Sequence, residues 1–163
     1  MLFRSSIMNI LATQYTLANK SFEIYVAGCK AMPHCKGCHS KESWDFNAGE
    51  TYNEELLNKM LLKIEEFDDL IDNIWILGGD PLDNNINDIC KMAVDFAFRN
   101  KQIWLFTRYP LEEVKNKLKN NIVLFDYIKC GRYEEDLITN DNIQYGIKLA
   151  TSNQKIYKEG VDY

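Results

Sequence analysis

The sequence predicts an α/β fold built on a mainly parallel sheet, and three observations carry that prediction. Short apolar runs rich in β-branched and aromatic residues alternate with longer stretches of helical periodicity. The first two runs stop at glycines, where a strand opens into a loop. The chain has 163 residues, within the ~100–200 that one hydrophobic core serves, so a single domain over 1–163 is expected.

The elements follow in the order β, α, β, α, β, α, β. Ser21 to Ala27, SFEIYVA, alternates in the manner of a strand and ends at Gly28. From Asn53 to Phe67, Leu56, Leu57, Met60, Leu61 and Ile64 recur at helical spacing, with Thr51 or Asn53 as candidate caps. Asn73 to Leu77, NIWIL, is a buried-strand run that opens into Gly78-Gly79-Asp80-Pro81. A second helix is expected from about Asn84 to Arg99, a third strand over Gln102–Phe106, a third helix over Leu111–Leu118 and a fourth strand over Val123–Ile128. Ile143–Leu149 and Lys155–Lys158 read as short strands around the polar turn Thr151-Ser152-Asn153-Gln154, extending one sheet edge. Such alternation implies right-handed crossovers, in an open mainly parallel sheet or a partial (β/α) barrel.

Composition narrows the function. Apolar residues make up 46% and charged residues 26%, the usual mix of a globular protein. A formal charge of −5 argues against nucleic acid as a partner, since neutralising phosphates takes clustered Lys and Arg. No apolar run reaches the ~18–20 residues of a membrane helix, and the start, MLFRSSIMNILATQY, lacks the pattern of a cleaved leader. A cytoplasmic location with no membrane partner is expected. There the five cysteines serve as metal ligands or buried thiols rather than as disulfides.

Three cysteines form a constellation. Cys29, Cys35 and Cys38 lie in GCKAMPHCKGCHS with the spacing C-x5-C-x2-C, while Cys90 and Cys130 stand alone in apolar surroundings and read as buried thiols. Closed iron–sulfur clusters usually take four cysteines, so three ligands would leave one iron open to substrate. The competing reading is a Cys3His zinc site completed by His34 or His39, which would make the chain a non-catalytic interaction module. Gly78-Gly79-Asp80-Pro81 taken alone is an ordinary strand-to-helix turn; beside the cysteine loop, at the carboxyl ends of neighbouring strands, it is a ligand-binding loop. Trp44, Trp75 and Trp104 read as core, and the run Glu65-Glu66-Phe67-Asp68-Asp69 as a solvated helix end.

Several motifs in one order carry a resemblance: YVAGC, CKGCHS, LGGDPL, WLFTRYPLEEV, DYIKCGRYEEDL and ATSNQKIY. Together they resemble the radical S-adenosylmethionine superfamily, and within it the anaerobic ribonucleoside-triphosphate reductase activating proteins. The cysteine loop is two residues longer than the superfamily's commonest C-x3-C-x2-C, and Leu17-Ala18-Asn19-Lys20 stands where the family usually has Asp-Gly-Pro-Gly.

The resemblance implies that Cys29, Cys35 and Cys38 bind a [4Fe-4S] cluster whose fourth iron chelates S-adenosylmethionine. It places Gly37 and His39 near the adenosyl part, Gly78, Gly79 and Asp80 at the methionine ammonium, and Thr107, with Tyr109, at the ribose or adenine. Ser152, Asn153 and Gln154 match a family segment without an assigned role. The implied activity is reductive cleavage of S-adenosylmethionine, fed by a flavodoxin or ferredoxin, to make a glycyl radical on a large anaerobic ribonucleotide reductase. The alternative is radical chemistry on another glycyl-radical enzyme or a peptide.

Overall fold

The computed structural model describes residues 8–38, 41–97 and 100–163. Its strands are β1 (Asn9–Thr16), β2 (Ser21–Val26), β3 (Glu50–Thr51), β4 (Asn73–Gly78), β5 (Gln102–Phe106), β6 (Tyr127–Cys130), β7 (Ile143–Gln144), β8 (Ile147–Lys148) and β9 (Lys155–Lys158). Its α-helices are α1 (Glu54–Glu66), α2 (Ile86–Ala97) and α3 (Leu111–Leu118). Seven strands form one sheet in the order β3-β1-β2-β4-β5-β6-β9. The four central strands β2, β4, β5 and β6 are parallel; β1 and β9 flank them antiparallel, and β3 pairs antiparallel with β1 at the outer edge.

The parallel strands join the sheet in chain order, each separated from the next by one helix. All three helices lie on one face. There Ile24, Ile74, Ile76, Ile103, Leu105 and Ile128 of the sheet pack against Met60 and Ile64 of α1, Met92 and Phe96 of α2, and Val114 of α3. Each of these side chains, when fully buried, contributes ~1.5–3 kcal/mol. Among the described residues the other face carries no α-helix. Trp75, Trp104 and Tyr127 stand in register across β4, β5 and β6, and Leu149 and Ile156 pack over them. Period-two alternation separates the two faces: Ile74 and Ile76 face the helices, Trp75 the aromatic side.

Local chemistry accounts for the element ends. Asn53 caps α1 by accepting from the Leu56 amide at 2.9 Å. Asp80 caps the turn 81–83 by accepting from the Leu82 amide at 3.1 Å. The expected helices and the strands at Ser21, Asn73 and Gln102 are present, the second helix running Ile86–Ala97 while Arg99 lies outside the described residues.

Two expectations need correction. The fourth strand is Tyr127–Cys130, not Val123–Ile128, because residues 119–124 form 3-10 turns that bury Ile122 in the helix-side core before the chain extends. The segment Ile143–Leu149 does not extend the sheet edge: β7 and β8 pair only with each other, as a hairpin turning at Tyr145-Gly146. Lys155–Lys158 does form the edge, as β9 against β6. Strands β1 and β3 were not foreseen. In β1 only Ile10 is buried, so the strand is held by backbone pairing and leaves little apolar signal.

Candidate functional site

At the carboxyl ends of β2, β4, β5 and β6 the chain encloses a cavity of about 320 Å³, within the range of small-molecule sites. Cys29, Cys35 and Cys38 all line it, each partly exposed, and Gly78 and Gly79 form part of the wall. The loop after β2 and the loop after β4 therefore share one site, as their positions in the sequence predict.

Glycine is what lets these two loops touch. The Asp80 amide donates to the Gly28 carbonyl at 2.8 Å and the Gly79 amide to the Val26 carbonyl at 3.0 Å. A Cβ on Gly79 would lie 2.3 Å from the Gly28 carbonyl oxygen, and Gly78 takes φ +127°, a conformation side chains rarely adopt.

Behind that wall lies a buried polar network. The Asp80 carboxylate, 1% exposed, accepts from the Thr107 hydroxyl at 2.8 Å and the Arg108 amide at 3.0 Å, besides capping its own turn. Burial pushes Asp80 up to about 6, against the Arg108 amide and the Thr107 hydroxyl, which favour the ionised form. Asp83 accepts from the Lys30 amide at 2.8 Å, from Arg108 Nη2 at 2.9 Å and from the Tyr109 hydroxyl. Two carboxylates on the β4 loop thus tie down both the cysteine loop and the β5 loop.

The expected site residues separate into groups. Gly78, Gly79 and Thr107 line the cavity with the three cysteines. Thr107 is committed on both sides, donating to Asp80 and accepting from the Tyr109 amide at 3.2 Å. Asp80 is turned inward, and Tyr109 packs on the helix side with its hydroxyl on Asp83. Gly37 is exposed, its α-carbon facing the Tyr133 ring. His39 lies outside the described residues.

Trp44, expected in the core, is a wall of the cavity; the His34 ring stacks on it with centroids 3.9 Å apart, and His34 Nε2 lies 3.0 Å from the Cys29 carbonyl oxygen. Trp75 and Trp104 are core, as expected.

Sequence reasoning missed three cations of the cavity: Arg132, in the loop after β6, and the strand-end pair Arg108 and Lys129. Lys129 projects from β6 on the aromatic side and donates to the Gly131 carbonyl at 3.1 Å; burial lowers its pKa, against the pull of Asp80, Cys130 and Cys35. The only signal for either residue was its place at the carboxyl end of a parallel strand. The Ser-Asn-Gln segment also gains a structural account: Asn153 donates to the Arg132 carbonyl at 2.9 Å and Gln154 to the Gly131 carbonyl at 3.3 Å, tethering the loop after β6 at the cavity rim.

The donor set fits a cluster. Among the described residues no three His, Cys, Asp or Glu side chains converge to hold a single metal ion. A cluster makes a different demand, because each cysteine binds a separate iron and the sulfurs stand apart around a shared centre. Three thiols around one cavity, opposed by the cations Arg108 and Lys129, meet that demand.

This fold and this cysteine-lined cavity define an iron–sulfur protein. Residues 20–157 match the family described as a 4Fe-4S single cluster domain, and the chain belongs to that family. It is also similar to proteins named anaerobic ribonucleoside-triphosphate reductase-activating protein. That of Escherichia coli strain K12 is 26% identical over 137 residues, covering 82% of this chain and 85% of that one. That of Pasteurella multocida is 28% identical over 140 residues, covering 83% and 85%. That of Enterobacteria phage T4 is 29% identical over 119 residues, covering 71% and 72%.

Proposed function

We propose that this protein is a radical S-adenosylmethionine activating enzyme that generates a glycyl radical on an anaerobic ribonucleotide reductase. The observation that carries the reading is the meeting of Cys29, Cys35 and Cys38 with Gly78 and Gly79 around one cavity. We read the sheet as a partial (β/α) barrel of the radical S-adenosylmethionine type in a single domain, because its parallel strands follow chain order and its helices keep to one face.

The chemistry a [4Fe-4S] cluster supplies here is one low-potential electron to the sulfonium, which splits S-adenosylmethionine into methionine and a 5′-deoxyadenosyl radical able to take hydrogen from a glycine. The protein's part is to bind, orient and shield. The three cysteines supply thiolates, and the cations Arg108 and Lys129 offset the negative charge gathered there. Gly78 and Gly79 bring bare backbone to the wall, where peptide groups can meet the methionine ammonium. Asp80 serves this wall from behind, by fixing the β4 and β5 loops together. Thr107 and Gly37, with His39, are assigned to the adenosyl half.

The partner is the large reductase, and the electron comes from a flavodoxin or ferredoxin. The work is done in the cytoplasm on a protein substrate; among the described residues no helix is long and apolar enough to cross a membrane.

The test is anaerobic. Protein reconstituted with iron and sulfide, given dithionite and S-adenosylmethionine, is expected to release 5′-deoxyadenosine, and Cys35→Ala to release none. A wild-type protein that holds zinc, no iron and no acid-labile sulfide refutes the reading.

A further inference from the structure

Arg108 holds a more particular place in the site than its charge alone requires. It follows β5 at the carboxyl edge of the sheet and lines the cavity with the three cysteines. It is only about one-fifth exposed, and burying a guanidinium is costly unless its charge is used. Its outer nitrogen is held firmly: Nη2 donates to Asp83 Oδ2 at 2.9 Å and to the Tyr109 hydroxyl at 3.0 Å, and the guanidinium lies 4.2 Å from the centroid of the Tyr109 ring. Asp83 also accepts the amide of Lys30, the residue after Cys29, so one carboxylate sets the arginine and the cysteine relative to each other. The inner edge differs. Nε is buried, 3.6 Å from Asp80 Oδ2, and has no hydrogen-bond partner among the described residues.

We infer that Arg108 is a positioning residue for the cluster, clamped by Asp83 at the wall of the cysteine cavity so that its positive charge raises the potential at which a cluster there takes up an electron. The inference rests on the cluster reading above. Its physical basis is general: a nearby cation favours the reduced, more negative state, and cluster potentials follow the charge around them. A lysine here would keep the charge but lose the planar fork that Asp83 and Tyr109 hold. Its effect should therefore fall between that of arginine and that of a neutral residue.

The experiment is a reductive titration of the reconstituted protein followed by electron paramagnetic resonance, on wild type, Arg108→Lys and Arg108→Gln. Iron and sulfide content and S-adenosylmethionine affinity are measured alongside. With cluster content unchanged, the midpoint is expected to move to more negative potential in Arg108→Gln and to move back toward wild type in Arg108→Lys. Equal midpoints in wild type and Arg108→Gln overturn the inference. So does a loss of S-adenosylmethionine affinity without a shift in midpoint, which would make Arg108 a ligand-binding residue instead. Should Arg108→Gln fail to hold a cluster, Arg108→Lys alone decides: a negative shift supports the inference and no shift overturns it. These outcomes leave the cluster reading intact, because only a wild-type protein without iron and sulfide strikes at that.

Discussion

Asp80 holds a carboxylate in a place where its charge is expensive. Its three donors come from two loops, so its removal should loosen the wall rather than the core. Burial raises it from the ordinary 3.8 to about 6, with Asp83 adding to the rise and Arg108 opposing it; Lys129 also feels its charge. A raised carboxylate means that the folded state holds the proton more tightly than the unfolded chain does. The stability this confers is complete below about pH 4 and is lost as pH rises through about 6. The stability of wild type relative to Asp80→Asn is thus expected to fall from pH 4 to pH 6, measured by denaturant unfolding. A relative stability that rises over that window would contradict the assignment. The remaining cysteines make a second test at this scale. Cys90 and Cys130 are buried, and burial pushes Cys130 up to about 12, so both should resist iodoacetamide in the folded protein and react once it is denatured, as read by mass spectrometry.

Among the elements, α1 shows how far stability and site can be separated. It faces the core through Met60 and Ile64 and is started by the Asn53 cap. Asn53→Ala should cost ~1 kcal/mol in urea unfolding and leave iron content and 5′-deoxyadenosine yield unchanged; a loss of cluster would mean that the helix is coupled to the site. The same element was readable in advance because its apolar positions recur at 3.6-residue spacing on one exposed helix. The fourth strand was harder to place. Val123 to Ile128 is apolar enough for a strand, yet its first part winds into 3-10 turns that spend Ile122 on the core, and an apolar run cannot tell those two uses apart. Strand β1 was illegible for the opposite reason, since pairing through backbone needs no apolar side chains.

At the scale of the molecule, the sheet has one face closed by helices and one end open around the cysteine cavity. The cavity is open at that end, where a protein substrate would complete the enclosure. The corresponding prediction is that the reduced protein, mixed with the anaerobic reductase and S-adenosylmethionine, produces a glycyl radical spectrum on the reductase, and that Cys35→Ala produces none. A radical that forms on the activating chain alone would be inconsistent with this division of labour.

The sequence by itself determined the α/β class, the three helices, the cysteine constellation and the pairing of that loop with Gly78-Gly79. These are local properties: periodicity, glycine-ended strands and ligand spacing depend on neighbours in the chain. Tertiary structure alone decided that Asp80 turns away from the cavity, that Trp44 lines it, and that Arg108, Lys129 and Arg132 supply its positive charge. Those outcomes depend on residues brought together from distant parts of the chain, such as Asp83 with Lys30 and Arg108. Neither a buried carboxylate nor its partner cation has a periodicity by which to be recognised. What selects them is the cost of leaving a charge unpaired inside the fold, and that cost exists only once the fold has formed.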